Sequence, residues 1–389
     1  MYLLLTGRYP ELSAAELAPW CEITHHDKNE GWLLADNLRW DNPRELPKPQ
    51  EQIFLDRLGG TQRIAEVIGE YFTPDELQNQ IIAQCTDLVD HKTFLIGFSF
   101  FGTNKGWGKK FMFETYDQLR HHFPVNIRLA NPTGENLTSG RIFHDKLLKK
   151  GTEFIIIHKG DSWLLTQTKA NQNLRNYELR DRKKDFRDSN MGMLPPKLAQ
   201  ILLNLAQPSF DDTVIDPFCG SGTINIEAAI SGYRTFGSDL DKDRTQKAHE
   251  NFEQMALKFR YDAAVGDFKS SDALKLDWKN QSGVVATEGW LGENFVQTPR
   301  KGEIDNNAEQ ILELWRKLLP KISESKVHSL VFCLPAWSQR GKLVSIFQKL
   351  LPTIHHTPYT IRPFESGETF FYQRPDAFVA REIVVLKKS

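Results

Sequence analysis

Apolar and polar positions divide the chain into stretches with different periodicities. Up to about residue 60, short apolar runs (YLLLTG, GWLLAD and QIFLDRL) flank the helical pattern ELSAAELAPW, which predicts a small α+β unit over 1–60. From Thr61 the spacing of Ile64, Val67, Ile68 and Tyr71 at i, i+3, i+4 and i+7 predicts a helix, interrupted at Pro74. A second helix follows, then the strand TFLIGFSFFG (93–102), a helix around Tyr116–His122, the strand VNIRLA, a turn at Asn131-Pro132-Thr133-Gly134, and a hairpin, EFIIIHK and SWLLTQTK, about Gly160-Asp161. These predict a second α+β unit over 61–170.

The stretch NQNLRNYELRDRKKDFRDSN, from Asn171, is polar and basic with little apolar periodicity, and predicts a docking linker over 171–190. Over 191–389 the pattern changes class. Short runs TVID, RTFGSD, YDAAVG, GVVATE and HSLVFC alternate with helical stretches, and FFYQRP and AREIVVLKK close the chain as an antiparallel pair. Strands alternating with helices predict an α/β, Rossmann-like doubly wound sheet, mostly parallel, with a C-terminal hairpin at one edge.

Composition narrows the class. With 389 residues, 40% hydrophobic and 25% charged, the chain is long enough for two or three ordinary globular domains. No run approaches the roughly 18 apolar residues of a membrane span, and MYLLLTGRYPE turns polar too soon for a signal peptide, so a cytoplasmic location is expected. Cys21, Cys85, Cys219 and Cys333 are far apart, which argues against a disulfide framework or structural zinc. The pairs His121-His122 and His355-His356 have no acids or cysteines at ligand spacing, so no metal is assigned.

The net charge of −1 conceals an asymmetry: Asn104 to Arg187 holds 17 Lys and Arg against 9 Asp and Glu. A surplus in one segment points to a polyanionic partner, with Lys105, Lys109, Lys110, Lys149, Lys150, Arg182 and Lys183 binding its phosphates. Phe186, Arg187 and Asp188 either meet the nucleic acid or pack within the linker.

The chemistry concentrates at DPFCGSGT (216–223), a glycine-rich turn between the run Thr213-Val214-Ile215 and the helical INIEAA. A dinucleotide loop would place a third glycine where Asn225 stands, and Asp216 would repel phosphate; a Walker A loop would need Gly-Lys-Ser/Thr. An acid with two glycines suits a ligand with a cationic head and no phosphate, and S-adenosylmethionine is such a ligand. Asp216, Pro217, Phe218, Gly220, Gly222 and Thr223 would cradle its methionyl part, the glycines allowing close backbone approach. Asp239, 23 residues after Asp216, would take the ribose diol, with Leu240 beside it. Asp272, next to Ala273, is favoured over Asp267 for the adenine amine. Met193, Leu194, Pro195 and Pro196 would cover the methionyl end.

DPFCGSGTINIEAA, together with RNYELRDRKKDFRDSNMGMLPPKLAQILLNLA and YQRPDAFVAREIVVL, resembles the THUMP-domain tRNA guanine-N2 methyltransferases, the group that modifies guanosine 10. The likeness covers residues 171–389, and more diffusely RYPELSAAEL and RLGGTQRIAEVI. It implies a class I methyltransferase domain preceded by ferredoxin-like and THUMP domains, with S-adenosylmethionine as donor and tRNA as substrate. Some members also depend on a small zinc-binding activator protein, which the resemblance leaves open for this chain. One departure stands out. Amino methyltransferases end the fourth strand in an Asp/Asn-Pro-Pro-aromatic tetrad, whose acceptors hold the target amine while the ring stacks on the base. This chain has VVATEGWLG, in which Glu288 stands for the acid, Gly289 for the proline carbonyl and Trp290 for the ring. A DNA amino methyltransferase would share the donor pocket but should carry a target-recognition domain and the full tetrad. A non-catalytic RNA-binding protein would keep the fold without the chemistry.

Overall fold

The computed structural model describes all residues except 40–48, 90–92, 183–192, 294, 296–298, 340 and 375–376. The chain divides into two compact units, Met1–Arg175 and Asn176–Ser389.

The first unit begins with β1 (Tyr2–Thr6), α1 (Pro10–Leu17), β2 (Glu22–Asp27), β3 (Trp32–Asp36), α2 (Gln50–Asp56) and β4 (Thr61–Tyr71). It continues through α3 (Pro74–Thr86), β5 (Thr93–Phe101), α4 (Lys105–His122), β6 (Asn126–Leu129), α5 (Ser139–His144), α6 (Leu147–Lys150), β7 (Gly151–Lys159) and β8 (Ser162–Asn171). One eight-stranded sheet, in the order β2-β3-β1-β4-β8-β7-β5-β6, spans both segments on either side of residue 60, because β1 and β8 flank β4.

Two expectations fail here. The helical spacing from Thr61 belongs to β4, a central strand. Its register against β8 shifts between Ile64 and Ala65 and again between Val67 and Gly69, so bulges break the alternation that would have marked a strand. The first five residues of QIFLDRL lie in α2 rather than in a strand, with Arg57 as its C-cap, and Phe54 and Leu55 are buried. Inside the unit a polar knot replaces part of the core. Arg63 of β4 is 2.5 Å from Glu153 of β7, and the hydroxyls of Ser99 and Thr168 donate to the same carboxylate at 2.7 and 2.6 Å. All four side chains are buried and the charges of Arg63 and Glu153 are paired, as burial of charge requires, although Arg63 Nε has no partner among the described residues.

The second unit takes in most of α7 (Leu174–Arg182), where a linker was expected. Its polar face hides the helix from a pattern search. The Tyr177 hydroxyl donates to Gln200 at 2.6 Å, and buried Arg180 lies 2.5 Å from Glu227 and over the ring of Tyr177. These partners lie on α8 (Pro196–Ala206) and α9 (Thr223–Ile230), so α7 docks through polar side chains.

The remaining elements are β9 (Thr213–Asp216), β10 (Arg234–Asp239), α10 (Lys242–Phe259), β11 (Gly266–Ser270), β12 (Ser282–Ala286), α11 (Lys301–Ser323), β13 (Lys326–Gln339), β14 (Lys342–Val344), α12 (Phe347–His355), β15 (Tyr359–Ile361), β16 (Phe370–Tyr372) and β17 (Val379–Lys388). The sheet order is β11-β10-β9-β12-β13-β17-β15, parallel from β11 through β13, with β17 running against both of its neighbours. β16 pairs with β17 as expected of the closing hairpin, but β17 also lies between β13 and β15. YDAAVG is not a buried strand. Asp262 caps a single turn over Ala263–Val265, and the strand begins only at Gly266. α11 buries Ile311, Leu312, Trp315, Leu318, Leu319 and Ile322 on one face, with Trp315 4.1 Å from Phe332 of β13 by ring centroids. From β9 the chain winds outward through β10 and β11, then returns to place β12 on the other side of β9, so the strand order reverses between β9 and β12. Ligands of open α/β sheets bind at such a reversal, outside the carboxyl ends of the strands.

Candidate active site

A cavity of about 680 Å³ opens at that point, and its lining includes Asp216, Asp239, Asp272, Glu288, Phe218 and Trp290. The turn after β9 carries the first of these. Asp216 is buried, and its Oδ1 accepts hydrogen bonds from the Thr287 hydroxyl at 2.7 Å and the Phe218 N–H at 3.2 Å. Among the described residues its second oxygen has no partner. Burial, chiefly, lifts the Asp216 carboxyl to about 7, with the Thr287 and Phe218 hydrogen bonds opposing and the charges of Asp239 and Glu288 assisting. A buried, half-satisfied carboxylate facing a cavity is completed by a cation.

Asp239 closes β10. Its Oδ2 accepts from the Gly220 N–H at 3.1 Å and its Oδ1 from the Asp241 N–H at 3.0 Å, which fixes the plane of the carboxylate and leaves further lone pairs for a diol. Asp241 takes the helix-capping role, accepting from the N–H groups of Asp243 and Arg244. Leu240, 76% exposed, lies at the cavity beside it. Asp272 Oδ1 accepts from the Leu274 N–H at 2.9 Å, and the Trp278 indole donates to the Ala273 carbonyl at 2.8 Å, pinning the turn that carries both lining residues. Asp267 is an exposed residue of β11 and does not line the cavity.

Among the expected cradle residues, Pro217, Phe218, Gly220, Thr223, Leu240, Ala273 and Leu194 line the cavity, while Gly222 and Pro195 do not. Gly222 has a further requirement: its φ is +77°, and a Cβ there would sit 3.2 Å from the Ala248 carbonyl, so glycine lets the turn pack closely against α10. Pro195 is the residue preceding the first turn of α8.

At the end of β12, the Thr287 N–H bonds to Val331 at 2.9 Å and keeps the backbone in the sheet for one more residue. The Thr287 hydroxyl then bridges two functional parts, donating to Asp216 and accepting from the Gly289 N–H at 3.1 Å. Gly289 has φ +73°, and a Cβ there would sit 3.2 Å from Trp315. Proline is locked near −65°, so the backbone at 289 cannot carry a proline. Glu288 and Trp290 flank it at the cavity, Trp290 half-buried against the core that holds Trp315. Sequence reading missed one partner. Arg381 of β17 donates from Nε to Glu288 Oε1 at 2.5 Å and is itself buried. It stands beside Glu382 at the start of AREIVVL, ahead of the apolar run IVVL, and a charged residue bordering such a run was the available signal.

Of the residues expected to bind RNA, Lys105, Lys109 and Lys110 are exposed on the first turns of α4, and Lys149 and Lys150 are exposed at the end of α6. Lys110 is 3.8 Å from Glu114. Arg182 ends α7, whereas Lys183, Phe186, Arg187 and Asp188 lie outside the described residues.

Comparison with known proteins agrees with this geometry. The sequence profile of the family described as UPF0020, RMKL-like methyltransferase domain, matches residues 180–304. A tRNA (guanine(10)-N2)-dimethyltransferase of Methanothermobacter thermautotrophicus is 24% identical over 354 residues, covering 86% of this chain and 88% of its own. A probable tRNA (guanine(10)-N2)-dimethyltransferase of Methanothermococcus thermolithotrophicus is 32% identical over 126 residues, which make up 30% of this chain and 74% of that protein. The chain belongs to the tRNA guanine-N2 methyltransferase family. The crystal structure of TrmN from Thermus thermophilus superposes with a TM-score of 0.54 at 16% identity, covering 100% of this chain and 99% of that one, and shows the same fold.

S-adenosylmethionine, the methyl donor of the class I fold, fits the residues present. Asp216 would offer a buried acceptor for its ammonium, Asp239 an oriented acceptor for its diol, and Asp272 an acceptor for its adenine amine, with Leu240 and Phe218 as apolar walls. When bound, the donor supplies an electrophilic methyl group.

Proposed function

We propose that the chain methylates the exocyclic N2 amine of a guanosine in tRNA, with guanosine 10 as the target. The observation that carries this reading is the joining of the donor cavity to the Glu288-Gly289-Trp290 turn through Thr287, in a chain related over most of its length to a guanosine-10 enzyme. Glu288 accepts an N–H bond of the amine through its free oxygen, the Gly289 carbonyl accepts the other, and the Trp290 ring stacks on the base. Together these acceptors hold the nitrogen lone pair toward the donor cavity and raise electron density on nitrogen as the N–C bond forms and the donor's S–CH3 bond breaks, its electron pair staying on the sulfur of the S-adenosylhomocysteine that leaves and one amine proton passing to solvent. The first unit is read as the ferredoxin-like and THUMP portion that grips tRNA through the exposed lysines of α4 and α6.

The test is incubation of the protein with labelled S-adenosylmethionine and unmodified tRNA transcripts, followed by nucleoside analysis. Label in N2-methylguanosine or N2,N2-dimethylguanosine, lost when guanosine 10 is replaced by adenosine, supports the proposal. Label in an adenine product, or undiminished label after that replacement, contradicts it, the first on the reaction and the second on the position.

A further inference from the structure

An aspartate in the usual tetrad has two side-chain torsions, and the proline beside it stiffens the backbone. Glu288 has three, and its neighbour Gly289 is the least restrained residue available. A longer carboxylate on a looser turn needs something else to fix its direction. The cavity adds an electrostatic problem, because Glu288 shares it with Asp216, Asp239 and Asp272, and the charges of Glu288 and Asp239 both act on Asp216.

Arg381 answers both needs. It stands on β17, opposite Pro335 of β13 and Tyr372 of β16, so its side chain crosses the end of β13 to reach a residue beyond β12. Its Nε–H bonds to Oε1 of Glu288 at 2.5 Å, and the two side chains are 9% and 21% exposed. Burial alone would lower the guanidinium's affinity for its proton, but the charge and hydrogen bond of Glu288 outweigh it and raise it. The other groups that bear on this pair are the Cys333 thiol of β13, itself buried and pushed well up, and the Tyr372 hydroxyl. Among the described residues Glu288 is the carboxylate paired with Arg381, and Arg381 the cation paired with Glu288.

Resting on the catalytic reading of Glu288 given above, we infer that Arg381 is a positioning residue for methyl transfer. It holds Glu288 by one oxygen so that the other is presented to the guanine amine, and it does the work that the rigid proline backbone does in the usual tetrad. Such a role differs from that of a strand-building residue in what its loss should change.

Four variants, Arg381→Met, Arg381→Lys, Glu288→Gln and the double variant Arg381→Met/Glu288→Gln, would be compared with wild type and Glu288→Ala in single turnover at saturating donor and tRNA. Donor affinity and melting temperature are measured on each. Loss of a group that orients a site's reactive ligand commonly costs 10- to 100-fold, so Arg381→Met should slow the step by about that factor, with donor affinity within about twofold. Arg381→Lys, which keeps the charge and a donor, should recover most of the rate and covers the case in which methionine impairs folding. The double variant should be no slower than the slower single variant, since Arg381 acts only through Glu288. Wild-type rates in Arg381→Met beside a slow Glu288→Ala would overturn the inference and leave the catalytic reading standing. Additive losses, or a proportional fall in donor affinity and melting temperature, would likewise overturn it in favour of a structural role. A wild-type rate in Glu288→Ala, or an inert wild type, would overturn the catalytic reading and this inference with it.

Discussion

Asp216 decides how the donor cavity responds to pH. Its carboxyl rises from an ordinary 3.8 to about 7, so between about pH 4 and 7 the folded chain keeps a proton that the unfolded chain has released. The contribution of this group to stability therefore falls as pH rises through that window. If Asp216 receives the donor's ammonium, donor binding has the opposite sign, because a cation beside the carboxyl favours its ionised form. Donor affinity should drop roughly tenfold between about pH 7 and pH 5.5 and level off above 7. Calorimetry over that range checks it, and Asp216→Asn should bind weakly with the slope gone; the same slope in the variant would place the titration on another group. The place of Asp216 at the cavity was legible in the sequence, since it ends a strand ahead of a glycine-rich turn. Its raised proton affinity was not, because that depends on burial and on Glu288, 72 residues further along.

At the scale of elements, short turns set the site. The turn after β9 is held by Gly222 against α10, where a Cβ would crowd the Ala248 carbonyl and the backbone sits at φ +77°. Gly222→Val should therefore destabilise the unit, by about 1–2 kcal/mol for the left-handed conformation before any clash, and a fall in melting temperature without donor present should accompany any loss of donor affinity. Normal stability with donor binding alone lost would return Gly222 to the ligand. What sequence periodicity captured and what it missed follow the same physics. The runs TVID and GVVATE were legible as β9 and β12 because their central residues, Val214-Ile215 and Val284-Val285-Ala286, form the short apolar runs of strands buried on both faces, whereas RTFGSD, largely polar, was legible as β10 only through its place in the alternation of strands and helices. β4 was not, since two bulges let Ile64, Val67, Ile68 and Tyr71 imitate a helical stripe, and α7 was not, since it docks by Tyr177 and Arg180 rather than by an apolar face. The Arg381–Glu288 pair joins residues 93 apart in sequence and left only a charged residue at the border of an apolar run as its trace.

For the whole molecule, charge is partitioned rather than large. Exposed Lys105, Lys109 and Lys110 on α4 and Lys149 and Lys150 on α6 fall in the basic stretch of a chain whose net charge is −1. If these lysines bind phosphate, tRNA affinity should fall with salt, and removing each lysine–phosphate interaction should flatten the log–log slope by roughly 0.7 to 0.9. The variant Lys149→Glu/Lys150→Glu should weaken tRNA binding and reduce that slope while donor affinity stays the same; an unchanged slope would remove these two residues from the interface. Among the described residues no helix is long and apolar enough to cross a membrane.

The central claim is that the Glu288-Gly289-Trp290 turn, in place of the usual tetrad, performs methyl transfer. Single-turnover methylation of tRNA at saturating donor separates that step from product release. Glu288→Ala should slow it by roughly 10² to 10⁴, the range for a positioned acid–base group, with donor affinity unchanged. Trp290→Ala should cost about ten- to a hundredfold, in keeping with about 1–3 kcal/mol for stacking on a base. Glu288→Gln, which keeps a carbonyl acceptor, should be faster than Glu288→Ala if the group orients the amine. Wild-type protein that methylates tRNA while Glu288→Ala does so at an equal rate would contradict the account.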